Sequence, residues 1–374
     1  MIESGLLGAL TAHTGLISAT VLAALFVSLV IIVTGQWHGQ HSMDHPGAIQ
    51  TAHRMPTPRI GGIGIYLGLT LAWALMPDDE ARSMLGLILV AGTPAWIFGL
   101  AEDLTKRVGV LPRLLATMFS GALACMLSGM ALTRLDVPFL DHLLTYWPVA
   151  VIFTAFAVGG VANAINIIDG FHGLASGTSI LAFLAFAVLA LLAGDQALAV
   201  VSLLGAAAVT GFWLVNYSWG KLFLGDGGAY FTGFTIAWLA VLLPMRNPSV
   251  SPWASLLVCA YPFIEVIYSM LRRKLKRKSL GDPDSAHLHS LLASQVIRKL
   301  FPRLPHTLQN AAVAPMVWVF VVVMVWLAIE FRASTGWLAA ILAGGFGVYH
   351  ITYQLLAVRK KPAPPEPMAD HIST

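Results

Sequence analysis

The chain has 374 residues, of which 57% are hydrophobic and only 11% charged, with a net charge of +4 and a mean hydropathy of +0.77. A soluble domain of this length needs far more charge on its surface, so the composition excludes a water-soluble globular fold and points to a polytopic membrane protein. The two cysteines, Cys125 and Cys259, both fall inside apolar runs and read as packing residues, with no disulfide framework implied.

A helix that crosses a bilayer takes about 20 apolar residues. Eleven runs approach that length: 16–34, 60–76, 85–100, 114–132, 148–168, 178–193, 197–216, 228–245, 253–271, 313–331 and 336–356. They are too long and too uniformly apolar for the alternating strands of a membrane barrel. The expected fold class is therefore all-α, with about eleven transmembrane helices. The first 15 residues hold no Lys or Arg, and no small-residue cleavage site follows the first run. The first helix is expected to be retained rather than removed as a signal peptide.

Eleven spans divide the connecting segments into two alternating sets. One set comprises 35–59, 101–113, 169–177, 217–227, 272–312 and the tail 357–374, and it holds every Lys and Arg except Arg82, Arg134, Arg246 and Arg332. The positive-inside rule makes this set cytoplasmic, with the N-terminus outside and the C-terminus inside. Residues 1–356 then form one membrane domain with its active-site loops in the cytoplasm, and 357–374 is a Pro-rich, disordered cytoplasmic tail. The run RRKLKRK at 272–278 reads as an anchor at the anionic inner leaflet, or as a means of drawing in anionic substrates. No nucleic-acid partner is expected. Small residues in the helices permit a homodimer.

Five polar constellations follow one another along the chain. HRMPTPRIGGIGI, 53–65, offers His53, Arg54 and Arg59 as anion contacts and two glycines for close backbone approach, or else a positive, Pro-stiffened lead into the second helix. AEDLTKR, 101–107, places Lys106 within a turn of Glu102 and Asp103. This is either an interfacial ion pair or a carboxylate pair for metal or proton next to a phosphate-binding lysine. In NAINIIDGFHG, 163–173, Asn163, Asn166 and Asp169 lie broadly along one helix face. Such polar groups are costly in an apolar helix unless paired or facing water, and the helix-breaking DGFHG that follows favours function over interhelical glue.

GKLFLGDGGAYFTGF, 220–234, sets Asp226 among three glycines with Lys221 nearby. The acid suits Mg²⁺ and the lysine a phosphate; the plain alternative is a tight turn. DPDSAHLHS, 282–290, carries His287 and His289, which suit phosphate or sugar contact better than a metal. Glu265, two turns before the basic run, reads equally as a structural polar residue or a site-facing acid. Hard oxygen ligands together with lysines and arginines, all on one side, suggest Mg²⁺-assisted phosphoryl transfer on a diphosphate.

At these residues the sequence resembles the polyprenyl-phosphate N-acetylhexosamine-1-phosphate transferase family, glycosyltransferase family 4. The motifs HRMPTPRIGG, EDLTK, NAINIIDGFHGLASG, FLGDGGAYFTGF and HLH stand in family order from His53 to His289. The resemblance implies that a membrane polyprenyl phosphate, such as undecaprenyl phosphate, attacks the β-phosphate of a UDP-N-acetylated sugar and releases UMP, at the cytoplasmic face of a bacterial inner membrane. It also implies catalytic roles for Asp103, Asp169, Asp226 and Lys106, with Asp226 and Asp103 as ligands of Mg²⁺, or of Mn²⁺ in its place. His53, Arg54, Arg59, Asn163, Asn166, Lys221, His287 and His289 would bind substrate.

The chain departs from the pattern of the family's peptidoglycan enzyme. Glu102 replaces the first Asp of the usual pair, His172 replaces the Asp of GLDG, Gly228 stands where many members have Ser, and the His motif is short. These departures favour the branch that initiates O-antigen and related surface polysaccharides over the one acting on muramoyl-pentapeptide. A multi-pass transporter is the alternative of another class. It predicts midplane charges and paired broken helices, which the sequence lacks.

Overall fold

A computed structural model of the chain describes residues 2–44, 57–77, 79–277, 284 and 286–358. His53, Arg54 and the tail from 359 onward lie outside the described residues.

The first half contains α1 (Ile2–Val33), α2 (Gly35–Ser42), α3 (Gly62–Leu75), α4 (Glu80–Thr105), α5 (Val110–Ser128), α6 (Pro138–Leu144) and α7 (Trp147–Ile168). The second contains α8 (Leu174–Ala193), α9 (Gln196–Trp219), α10 (Gly225–Arg246), α11 (Pro252–Val258), α12 (Ala260–Leu275) and α13 (Leu288–Leu292). A π-helical turn at Ala293–Ile297 leads to α14 (Arg298–Leu300), α15 (His306–Ala311), α16 (Val313–Glu330) and α17 (Thr335–Val358). Two short strands, β1 (Met43–Asp44) and β2 (Thr57–Pro58), pair antiparallel.

Each of the eleven apolar runs lies on helix. Among the described residues nine helical stretches are long and apolar enough to cross a membrane, with α15 and α16 counted together. A tenth crossing, α11 with α12, is bent by 79°. The eleventh run is α3, whose 14 residues rise only about 21 Å, short of a hydrocarbon core about 30 Å thick. The fold is thus the expected all-α polytopic one.

Several boundaries differ, because apolarity ends where polar side chains begin while helical hydrogen bonding does not. The run at 85–100 continues as α4 to Thr105, so Glu102 and Asp103 occupy a final helical turn rather than a loop. The helix then stops at Lys106, a non-glycine residue in left-handed backbone with φ of 55°. The run at 228–245 begins at Gly225, which puts Asp226 in the first turn of α10. The loop at 169–177 shrinks to 169–173 because α8 starts at Leu174. The run at 253–271 is broken at Cys259, whose N–H faces the carbonyls of Ser255 and Leu256 as the axis turns. Within the stretch 272–312, Leu288–Leu292, Arg298–Leu300 and His306–Ala311 form short helices.

The centre of the bundle is α10, which packs on α4, α7, α3 and α8 and is buried along most of its length. A helix apolar all round belongs inside a bundle, and small residues let its neighbours close on it. At Gly62, at the start of α3, an added Cβ would collide with the Gly228 backbone; at Gly99 in α4 it would lie 2.6 Å from the Asp226 carbonyl.

Helix direction sorts the polar residues to two ends. At one end Asp195 caps α9, accepting from the Leu198 N–H at 3.0 Å, from Arg246 at 2.6 and 3.0 Å and from Asn247 at 3.2 Å. Arg246 also meets Glu80 at 2.8 Å. Near them Asp136 accepts from the hydroxyls of Ser251 and Thr335 at 2.8 and 2.6 Å, while Arg134 donates to the carbonyls of Pro248 and Val250. The described residues of the motifs in the first subsection gather at the other end.

Candidate active site

The site is built around the N-terminus of α10. The first N–H groups of a helix have no acceptor within it, and here they are satisfied by a side chain 123 residues away. Asp103, buried in the last turn of α4, accepts from the Asp226 N–H through Oδ1 and from the Gly227 N–H through Oδ2, each at 2.9 Å. The carboxylate sits where the helix dipole favours negative charge. Gly225, with φ of 73°, brings the chain into this turn.

Asp226 itself is buried and surrounded by donors. Its Oδ1 accepts from Asn166 Nδ2 at 3.0 Å and from Arg59 at 3.3 Å. Its Oδ2 is ion-paired with Arg113, at the start of α5, whose guanidinium also lies 6.0 Å from the Tyr230 ring centre. Arg59 reaches Asp103 as well, at 3.8 Å. Two carboxylates and two arginines, from four separate segments, therefore converge on one helix end.

The glycine-rich strand of the first motif is held against this helix start by backbone. Phe223 N–H donates to Pro58, Gly61 N–H to Phe223 and Gly62 N–H to Leu224, at 2.9, 2.9 and 3.0 Å. The PTPRIGG and FLGDGG motifs thus form one backbone unit, and Arg59 is positioned by it. Asn216, buried at the end of α9, ties in the third motif: its side chain accepts from the Gly173 N–H at 2.8 Å and donates to the Leu222 carbonyl at 2.8 Å.

Asp169 follows the last residue of α7, its N–H donating to the Asn166 carbonyl at 3.2 Å. Burial pushes its carboxyl up to about 7, with Arg59 and a hydrogen bond from the Gly225 N–H pulling the other way. Asn163, a turn earlier, is half-buried and makes no side-chain hydrogen bond among the described residues. Lys106 is exposed at the end of α4. Glu102 accepts from the Val108 N–H at 2.7 Å and thereby shapes the 106–109 turn. Lys221 is exposed on the loop before α10.

The His motif joins from the far side. His289 stacks edge-on against Phe171, with ring centres 5.6 Å apart. His287 and His289 are themselves parallel, 5.2 Å apart. Both turn their Nδ1 edges to Glu265.

The structure thus brings together Arg59, Asp103, Asn166, Asp169 and Asp226, with the His pair beside the loop that follows Asp169. It adds Arg113, Asn216 and Glu265. Arg113 stood in the sequence only as one positive charge among many, with no neighbour to mark it. Among the described residues no three His, Cys, Asp or Glu side chains form a metal cage. Mg²⁺ commonly binds through one or two carboxylates, substrate phosphates and water. The buried Asp226 carboxylate, flanked by Arg59 and Arg113, fits that pattern, whereas both Asp103 oxygens accept from the start of α10.

Residues 85–244 match the model of glycosyl transferase family 4. A Bacillus subtilis protein named "Probable undecaprenyl-phosphate N-acetylglucosaminyl 1-phosphate transferase" is 28% identical over 255 residues, 67% of this chain and 69% of that one. The undecaprenyl-phosphate alpha-N-acetylglucosaminyl 1-phosphate transferases of Escherichia coli K12 and Salmonella typhi are 26% and 27% identical, each over 76% of this chain and 77% of the relative.

Proposed function

We propose, for a chain whose residues 85–244 match the model of glycosyl transferase family 4, that it transfers N-acetylglucosamine 1-phosphate from UDP-N-acetylglucosamine to undecaprenyl phosphate. A phosphate oxygen of the lipid forms a bond to the sugar-bearing phosphorus, the bond from that phosphorus to the UMP oxygen breaks, and UMP leaves. The lipid-linked diphospho-sugar starts an O-antigen or related surface polysaccharide. Relatives named for this activity support the lipid and the sugar.

The observation that carries the reading is the convergence of Arg59, Arg113 and Asn166 on Asp226 at the capped start of α10. Transfer of a phosphoryl group asks a protein mainly for position and for charge opposite the phosphates. Arg59 and Arg113 neutralise Asp226 and are placed to turn onto a diphosphate. Asp103 keeps the helix start, and with it Asp226, in place. Asp226 would hold Mg²⁺, or Mn²⁺ by the same oxygen chemistry, and the ion would supply further charge neutralisation at the diphosphate. Asn166 orients the carboxylate, and Asp169, on the neighbouring turn, faces the same space as Arg59. Lys106 and Lys221, exposed at the rim, would attract the anionic substrates. His287 and His289 would contact a phosphate or the sugar. The bias of Lys and Arg to this end of the bundle supports a cytoplasmic site in a bacterial inner membrane.

The test is purified protein with undecaprenyl phosphate, Mg²⁺ and a panel of UDP-sugars, scored by UMP release and by the mass of the lipid product. Turnover with UDP-N-acetylglucosamine that stops on adding EDTA is the expected result. Turnover only with the muramoyl-pentapeptide nucleotide would move the chain to the peptidoglycan reaction, and transport of a solute without turnover would move it out of the enzymes.

A further inference from the structure

Glu265 has no part in the reading given so far, yet it is 1% exposed and sits in α12, beyond the 79° bend. A carboxylate buried this deeply is costly unless its oxygens are matched by donors. Besides the Tyr349 side chain, four groups surround it. His287 Nδ1 lies 2.9 Å from Oε1, and the Leu288 N–H donates to the same oxygen at 3.3 Å. The Tyr261 hydroxyl donates to Oε2 at 3.3 Å, and His289 Nδ1 lies 3.7 Å from it. The Tyr261 oxygen is also 3.2 Å from His289 Nδ1.

The two imidazoles are stacked with planes 10° apart. With both Nδ1 edges turned to one carboxylate, both Nε2 edges face away from it. His289 Nε2 lies 3.8 Å from where a Cβ on Gly170 would stand, next to Asp169. His287 Nε2 lies 3.8 Å from Asp284. Two residues apart in sequence, these rings would diverge on a helix. Here His287 precedes α13 in extended backbone, with φ of −73° and ψ of 153°, and His289 is inside it. Glu265 on α12 is a partner common to both rings. A histidine nitrogen that binds a ligand is set by the hydrogen bond at its other nitrogen.

We infer that Glu265 is a positioning residue that holds His287 and His289 parallel, with the His289 Nε2 edge directed at the sugar-diphosphate beside the Asp169 loop. The inference rests on the proposed donor. It separates from a plain stabilising role because its effect must pass through the two histidines.

A double-mutant cycle tests it. UDP-N-acetylglucosamine binding in the presence of Mg²⁺ is measured by calorimetry on the full-length protein, for wild type, Glu265→Gln, His287→Asn with His289→Asn, and all three together. Glu265→Gln is expected to weaken donor binding about tenfold and to raise the donor KM while leaving the lipid KM unchanged. The triple variant is expected to bind no more weakly than the double histidine variant. Losses that multiply in the triple variant, or wild-type donor affinity in Glu265→Gln, overturn the inference. Where Glu265→Gln yields no folded protein, Tyr261→Phe serves in its place. A severalfold loss that disappears in the double histidine background supports the assignment, and a loss that persists there, or none at all, overturns it. Failure of the wild type itself to bind the donor removes the proposed function, whereas normal wild-type binding with multiplying losses removes only the role of Glu265.

Discussion

The two ends of the bundle use the same ingredients to different effect. At one end Asp195 accepts four hydrogen bonds, from the Leu198 N–H, Arg246 and Asn247. Burial opposes its charge, but Arg246, Leu198 and Asn247 outweigh that and hold the carboxyl below its usual range. At the other end Asp169, also withdrawn from water, is pushed up to about 7 because burial outweighs Arg59 and the Gly225 N–H. Asp226 keeps its arginines through reaches of 113 and 167 positions in the chain. A carboxylate whose donors outweigh its burial, as at Asp195, closes a structure. Carboxylates crowded together with cations borrowed from distant segments hold charge that a ligand can rearrange, and perturbed acids cluster at such sites.

That contrast predicts paired outcomes. Asp226→Asn should lower turnover on the order of 10³-fold with the unfolding midpoint little changed. Asp195→Asn should leave turnover per folded molecule intact and lower stability by about 2 kcal/mol. UMP release and thermal unfolding in detergent measure the two. A stability loss at Asp226 matching that at Asp195 would break the distinction.

The arginines give a smaller version of the same test. Arg113→Ala should reduce turnover on the order of 10²-fold. Arg134→Ala, which removes donors to the Pro248 and Val250 carbonyls at the opposite end, should cost about 1 kcal/mol of stability and no activity. Equal activity losses in the two would show that Arg113 acts through the fold alone.

The pH dependence of stability should differ in sign. Asp169 has its folded value raised from 3.8 to about 7. The folded state therefore holds a proton that the unfolded chain releases, and stability falls as pH rises from about 4 to about 7. Asp195 is lowered from 3.8, so its contribution is present above that value and is lost as pH falls below it. Asp169→Asn should flatten the fall between those pH values, and Asp195→Asn should remove part of the acid-side loss. Unfolding midpoints across pH 3 to 8 would show both; unchanged profiles would leave the contrast without a thermodynamic basis.

Much of this was legible in the sequence. The eleven apolar runs all lie on helices, and each of the five motifs supplies residues that meet at one end, the first through Arg59, while its His53 and Arg54 lie outside the described residues. What stayed hidden shares a cause: it depends on partners far away in the chain. Asp103 looks like half of a local acid–lysine pair, yet its oxygens cap a helix that starts 122 positions on. Arg113 carries no local signature at all, because its partner is Asp226. Glu265 reads two ways until His287, 22 positions later, folds back on it. The bend at Cys259 has one local mark, Pro262, which lacks the N–H that would donate to the Val258 carbonyl, although the apolar run continues through it. Apolarity alone misplaces helix ends where polar residues continue the helix, as at Glu102 and Asp226.

The clamping of α10 at both ends has one more consequence. Asp103 fixes its first turn, and Asp195 with Glu80 grips Arg246 at its last. Its 22 residues span about 33 Å, close to the thickness of a hydrocarbon core. The helix is thereby a ruler. A residue inserted between the clamps would turn everything beyond it by about 100° and pull one grip loose, so neither end can drift in the bilayer without the other, and the depth at which the lipid phosphate meets the site is set by the length of a single rod.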